Sequence, residues 1–467
     1  MTVIDPEAPA SAPGRNASPD ARWLEDNYAP LPHEITAYDL EVTGAVPPAL
    51  AGRYLRTGPN PVGADPDNHH WFIGDGMVHG VELRDGAANW YRNRWVTSPE
   101  QAARAGRAPV PMVADQATSG SGNTNVIHHA GRIFAINELS CPYELTPELE
   151  TVRQWDFGGP LPAGTTAHPK FDPTTGDMHV MAYSFIEPFL RYHVISADGR
   201  VVRTEELAVG GPIMAHDMAL TERYAIALDL PVVFSMDLVA AGRRLPYAWD
   251  PEYTPRLGFL PRDGGAADTL WVEIDPCYVF HPLNAYDDGD RVVMDVVRHP
   301  KMFASDTTGP DDGVPTMDRW TIDPVAGTWS SERVDDRAQE FPRADERLAS
   351  RRHRYGYSVH AALTDFGGRA DRSTAVLKYD MDRGTVDAHD LGQGRVAGEF
   401  VFVPAAEDAG EDEGWLMGYV YDRSVDRSEL VILDAHDIGV EPVARVHLPT
   451  RVPAGFHGNW IPDRALA

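Results

Sequence analysis

From about residue 23 to its end, this sequence rarely sustains an apolar period near 3.6 over three turns, which denies it long amphipathic helices as building material. Short runs rich in β-branched and aromatic residues alternate instead with turn clusters. Gly131–Ile136, Met178–Tyr183 and Arg291–Val297 are such runs, separated by punctuation such as Asp172–Asp177, Ala197–Arg200, Asp287–Asp290 and Asp323–Gly327. Arg191–Ile195 and Val201–Thr204, flanking one of these clusters, read as a hairpin. Gly and Pro make up 80 of the 467 residues, an excess over the roughly 12% of ordinary chains that suits many tight turns. No composition break marks a linker. Residues 23–467 therefore read as one all-β domain, preceded by a Pro/Ala/Ser-rich flexible arm over residues 1–22. A single sandwich would be oversized at this length, and a β-propeller closes such hairpin arrays by radial repetition. No per-blade motif is visible, so repeats do not give a blade count.

Charge and cysteine content narrow the function. With 41 basic and 70 acidic residues the formal charge is −29, which repels phosphate backbones and excludes nucleic acid as a partner. Cys141 and Cys277 stand far apart in no CxxC pattern, which excludes a disulfide framework and a thiolate zinc site. Met1–Pro6 carries no basic and apolar leader, and no stretch approaches the roughly 18 apolar residues of a membrane span, so a cytoplasmic protein is expected. The GxxxxGK[ST], HExxH and GxSxG motifs are absent, as is GxGxxG at a strand-to-helix junction.

What remains is histidine in a repeated local setting. His168, His216, His281 and His457 each sit at a strand edge or loop among small or apolar neighbours, where partial desolvation keeps an imidazole neutral. Four neutral nitrogens suit iron, copper or zinc; by spacing alone, a histidine in such a setting is more often a satisfied core residue than a ligand. Glu138, Glu340 and Glu399 lie in apolar surroundings, where a carboxylate needs a partner: a ligating imidazole, whose second N–H it would accept, or an arginine.

The chain resembles the carotenoid cleavage oxygenase family, which includes apocarotenoid oxygenases, lignostilbene dioxygenases, isoeugenol monooxygenase and the retinoid isomerohydrolase. The resemblance is carried in order by Gly52–Pro61, His70–Gly80, Trp90–Val96, Arg352–Tyr357 and Phe456-His457-Gly458, and spans nearly the whole chain. It implies a seven-bladed β-propeller capped by loops and short helices, with one Fe(II) per chain on the axis and O2 as co-substrate. The family's four histidine ligands fall on His168, His216, His281 and His457, and its three supporting glutamates on Glu138, Glu340 and Glu399. A threonine whose methyl shields one iron position falls on Thr124. The implied reaction is O2-dependent cleavage of a conjugated C=C bond of a carotenoid or apocarotenoid to two carbonyl products.

Substrate choice rests on fewer residues. Where the stilbene- and isoeugenol-cleaving branch places a phenol-holding lysine and tyrosine, this chain has Asn137 and Trp95. That disfavours 4-hydroxystilbenes, although Asn137 could still hydrogen-bond an oxygen. Trp95, Phe280 and Phe303 are candidate walls of a tunnel for an apolar conjugated molecule, with ordinary core as their other reading. Stilbene or phenylpropanoid cleavage is the first alternative, an isomerase or isomerohydrolase the second, and a propeller that only binds its ligand the third. Ala108–Val113 and Leu257–Leu260 are the candidate runs for a weak peripheral membrane contact. The sequence gives no oligomeric state.

Overall fold

The computed structural model describes residues 3–4, 19–113, 118–309, 312–360 and 374–466. Among them, seven sheets of four or more strands follow one another along the chain, the seven blades of a β-propeller. Blades 2 to 6 are simple antiparallel meanders. Their first strands are Asn125–His129, Lys170–Phe171, Met218–Leu220, Tyr278–Asp288 and Gln339–Arg343. From blade 3 to blade 6, neighbouring first strands contact one another around the axis. The expected hairpin forms as Leu190–Ile195 against Val201–Leu207, its turn using Gly199 at φ 80°.

Burial follows the radius. The outermost strands are partly solvated: Val201–Leu207 in blade 3 alternates half-buried and exposed until it reaches Leu207, and Thr328–Asp335 in blade 5 is mostly exposed. Strands near the axis are covered on both faces, as Gly52–Pro59 is along its whole length. The apolar core is correspondingly divided among the interfaces between blades. Tyr54, Tyr91 and Tyr419 pack between blades 7 and 1, and Phe259, Met294 and Trp320 belong to the large cluster running through blades 3 to 5. Within blades 1 and 3, a buried His–Tyr pair joins adjacent strands: His79 Nδ1 to Tyr91 Oη at 2.9 Å, and His179 Nδ1 to Tyr192 Oη at 2.5 Å.

The ring is closed from both ends of the chain. Gly458–Pro462 pairs antiparallel with Gly52–Pro59 as the axial strand of blade 1. Val42–Gly44 pairs with Ala444–His447 on the outside of blade 7. The first pairing is tight enough that a Cβ on Gly458 would collide with the Leu55 carbonyl. Of the expected arm over 1–22, Val3–Ile4 pairs with Ile35–Tyr38 and Pro19–Leu24 forms a 3-10 turn; most of the remainder lies outside the described residues. Arg22 is ion-paired with Asp306 at 2.7 Å, and Trp23 is stacked on Trp71 at 5.6 Å.

Two insertions cap one end of the axis: the helix Pro99–Ala105, and a hairpin of Val232–Phe234 and Tyr247–Trp249 that carries the helix Met236–Ala240. No helix among the described residues is long and apolar enough to cross a membrane. One expectation is corrected here. Leu257, Phe259 and Leu260 lie fully buried in the third strand of blade 4 and offer no surface patch. In the other run, Val110 and Met112 pack against one apolar cluster and Val113 against the next. The large exposed apolar side chains include Phe185, Ile186, Met236 and Val239, gathered by the stacking of Phe185 on Phe234 at 5.2 Å.

Because the axial strand Gly458–Pro462 closes the ring, Ile461→Ala is expected to lower stability by about 2–5 kcal/mol. Val202→Ala, at a half-exposed outer strand, should stay within about 0.5 kcal/mol. Urea unfolding of both variants checks this; equal midpoints would contradict the closure.

Candidate metal centre

The axial strands deliver one side chain each to a single point. His457 immediately precedes the axial strand of blade 1, Thr124 that of blade 2, and His168 and His216 lie just before those of blades 3 and 4. His281 and Glu340 lie within the axial strands of blades 5 and 6, and Glu399 falls between Arg395–Ala397 and Val401–Pro404 of blade 7. Glu138 follows the second strand of blade 2. The sequence separations that look unrelated are thus one position per blade.

One nitrogen from each of the four histidines lies within 4.8 Å of those of the other three. His168 Nε2 is 2.9 Å from His216 Nε2, which is 3.3 Å from His281 Nε2. Three of the rings are held from behind by carboxylates. His216 Nδ1 is 2.6 Å from Glu138, His281 Nδ1 2.7 Å from Glu340, and His457 Nδ1 2.9 Å from Glu399. The fourth, His168, has no such partner among the described residues: Asp217 is 4.0 Å away and is ion-paired with Lys170. Its segment is fixed by Asn125 Nδ2, which donates to the Ala167 carbonyl.

The electrostatics favour neutral imidazoles at His168 and His281 and charged carboxylates at Glu340 and Glu399. Burial, reinforced by the neighbouring rings, holds His168 well below its ordinary value. At His281 burial outweighs the opposing pull of Glu340 and pushes the pKa down to about 4. Burial acts to raise Glu399, but Arg343 and His457 outweigh it and hold the carboxyl at about 2. Glu340 is likewise held well below the carboxylate range, against its burial, by His281 and His299.

These residues fit a metal ion. A carboxylate accepting from Nδ1 places the proton there, and so turns an unprotonated Nε2 lone pair inward. Lone pairs converging at these distances repel unless a cation lies between them, and an all-imidazole donor set suits a divalent transition ion. His168, His216, His281 and His457 would hold it.

Two cavities reach the cluster from opposite ends of the axis. The capped one, of about 560 Å³, is lined near the histidines by Phe72, Phe280, Phe341 and Phe456, together with Thr124. The second, of about 520 Å³, is more polar, with Lys170, Asp217, Asn284 and Arg343 in its wall. Phe280 stands edge-on to His216 at 5.2 Å. Two expected wall residues lie elsewhere. Trp95 is buried in a small cluster with Leu31 and Met77, and its indole N–H donates to the Asn60 carbonyl. Phe303 backs the wall, edge-on to Phe72 at 6.2 Å, without lining the cavity. Asn137 does line it, but its oxygen accepts from the Ser121 and Gly122 amides and the Ser140 hydroxyl. Its structural work is to hold that loop.

Sequence reasoning missed His299, whose Nε2 meets the second oxygen of Glu340 at 2.7 Å, and Arg343, 3.5 Å from Glu399. Glu340 and Glu399 each therefore have two side-chain partners, one of them a cluster histidine. Only the Glu340-Phe341-Pro342-Arg343 proximity was visible in the sequence.

Comparison with known proteins covers nearly the whole chain. The retinal pigment epithelial membrane protein family model matches residues 28–462. A carotenoid cleavage oxygenase of Mycobacterium tuberculosis is 44% identical, covering 94% of this chain and 97% of its own. The crystal structure of Pseudomonas brassicacearum lignostilbene dioxygenase superposes with a TM-score of 0.85 at 27% identity, covering 96% of this chain and all of the other. A cobalt-substituted apocarotenoid oxygenase of Synechocystis gives a TM-score of 0.82 at 28% identity, with the same coverage.

His281→Ala is expected to abolish stoichiometric metal retention, whereas Glu399→Gln should weaken metal affinity by about 10–100-fold. Metal analysis after dialysis against a graded chelator distinguishes the two. Full retention by the alanine variant would remove His281 from the ligand set.

Proposed function

This chain belongs to the retinal pigment epithelial membrane protein family, that of the carotenoid cleavage oxygenases, and on that premise we propose that it is a non-haem Fe(II) dioxygenase acting on a carotenoid or apocarotenoid. The reaction consumes one O2 per conjugated C=C bond broken, and each former alkene carbon leaves as a carbonyl carrying one oxygen atom. The observation that carries this reading is the four-histidine cluster at the floor of an aromatic cavity. When bound there, Fe(II) supplies the one-electron chemistry by which O2 reacts with a closed-shell alkene.

The chain's own residues do the positioning. His168, His216, His281 and His457 hold the ion, and Glu138, Glu340 and Glu399 fix three of the rings. All four ligands are neutral, so the ion keeps its full charge. Phe72, Phe280, Phe341 and Phe456 present apolar faces beside the cluster, which excludes water and suits a flat conjugated chain. Thr124 lines the same cavity, and its backbone carbonyl accepts from the His457 amide, which couples it to a ligand's position.

The structural likeness to a lignostilbene dioxygenase favours stilbene or phenylpropanoid cleavage as the second reading. Against it stand the absence of a lysine at Asn137 and the commitment of the Asn137 oxygen to backbone amides. Delivery of a membrane-dissolved polyene would use the exposed Phe185, Ile186, Met236 and Val239 as a shallow peripheral contact.

The test is anaerobic loading with Fe(II), followed by an apocarotenal in detergent with polyene absorbance and O2 uptake recorded together. Bleaching with one O2 consumed per molecule cleaved is the expected result. Iron-loaded protein that leaves the polyene intact but cleaves resveratrol or isoeugenol would overturn the carotenoid assignment.

A further inference from the structure

Most charged side chains lining the capped cavity are already engaged. Asp75 is ion-paired with Arg104, Glu100 accepts from the Ser119 hydroxyl, and Glu138 and Glu340 hold imidazoles. Arg244 is different: it lines the same cavity from the cap hairpin, is exposed, and has no carboxylate within ion-pair distance among the described residues. In a chain of net charge −29, a cation left uncompensated at a cavity wall is a binding feature more than a structural one.

A second, independent observation lies three positions along. Tyr247, on the returning strand of that hairpin, also lines the cavity, and its buried hydroxyl has no hydrogen-bond partner among the described residues. Its ring is fixed edge-to-face by Tyr183 at 6.2 Å and Phe234 at 5.7 Å. A buried hydroxyl without a partner is costly, and an acceptor oxygen on a bound molecule removes that cost.

Resting on the reading above that the cavity takes a polyene, we propose that Arg244 and Tyr247 bind an oxygenated end of that polyene, and that the preferred substrate ends in a carboxylate. The guanidinium meets the anionic oxygens in partly apolar surroundings, where charge-assisted hydrogen bonds are strongest. The Tyr247 hydroxyl donates to the end group. The conjugated chain then runs inward along the phenylalanine wall to the histidine cluster, so the position of the end group sets which double bond is presented. Arg244 and Tyr247 are thus specificity residues for the end of the substrate that is not cleaved.

The test separates binding from turnover. Fe(II)-loaded protein, kept anaerobic, is titrated with a polyene carboxylic acid and with the aldehyde of the same chain length, following quenching of tryptophan fluorescence. The acid should bind about tenfold more tightly. Arg244→Gln should erase that preference while leaving the aldehyde affinity within about twofold, and Arg244→Lys should restore part of it. Tyr247→Phe should weaken both ligands by several-fold. Equal binding of acid and aldehyde by the unaltered protein, or an equal loss of both in Arg244→Gln, overturns the proposal. Admitting O2 afterwards tests the oxygenase reading separately. Arg244-dependent binding without bleaching supports this inference and defeats that reading; bleaching without acid preference does the reverse.

Discussion

Three imidazole lone pairs set by carboxylates converge with the His168 ring on one point, and the propeller holds them there. The restraint comes from behind. Glu138, Glu340 and Glu399 accept from Nδ1 of His216, His281 and His457, and two of the three carboxylates are themselves anchored. Glu340 is shared with His299 and the Phe341 amide, and Glu399 with Arg343 and the Gly458 amide. The axial strands of blades 3 to 6 contact one another in turn, and that of blade 1 contacts blades 2 and 7, so rigidity of the fold becomes rigidity of the ligand set. A propeller suits this because every blade brings the start of a strand to the same axis.

The all-β character was legible in the sequence because its physical cause is local. Outer strands such as Val201–Leu207 carry period-two exposure, and Asp-Gly clusters mark their turns. Blade count and closure were not legible, because strands beside the axis such as Gly52–Pro59 are covered on both faces and lose that alternation. Their partner, Gly458–Pro462, lies at the far end of the chain. The same ambiguity explains the Leu257–Leu260 run: a short apolar stretch reads alike as exposed patch or buried strand, and here it is a strand.

The site was legible mainly through family resemblance, since four histidines on four different blades share no spacing rule. The histidine and glutamate positions expected from that resemblance fall into one cluster. His299 escaped because it ends the apolar strand Arg291–His299 and reads as core until Glu340 is found beside it. Trp95 and Phe303 were misplaced for the opposite reason. Aromatic residues near family landmarks look like walls, whereas Trp95 packs with Leu31 and Met77 and Phe303 stands one layer behind Phe72. What lines the cavity is decided by the cap, where Arg244 and Tyr247 sit on an insertion that no periodicity marks.

The central claim is that one Fe(II) per chain is held by imidazole alone. X-ray absorption at the iron K-edge, on protein loaded anaerobically with a single equivalent of Fe(II), tests it most directly. Four nitrogen scatterers with the outer-shell signature of histidine are the predicted result, reduced to three in His281→Ala if any iron is retained. A shell dominated by oxygen, or one unchanged by that substitution, would contradict the account.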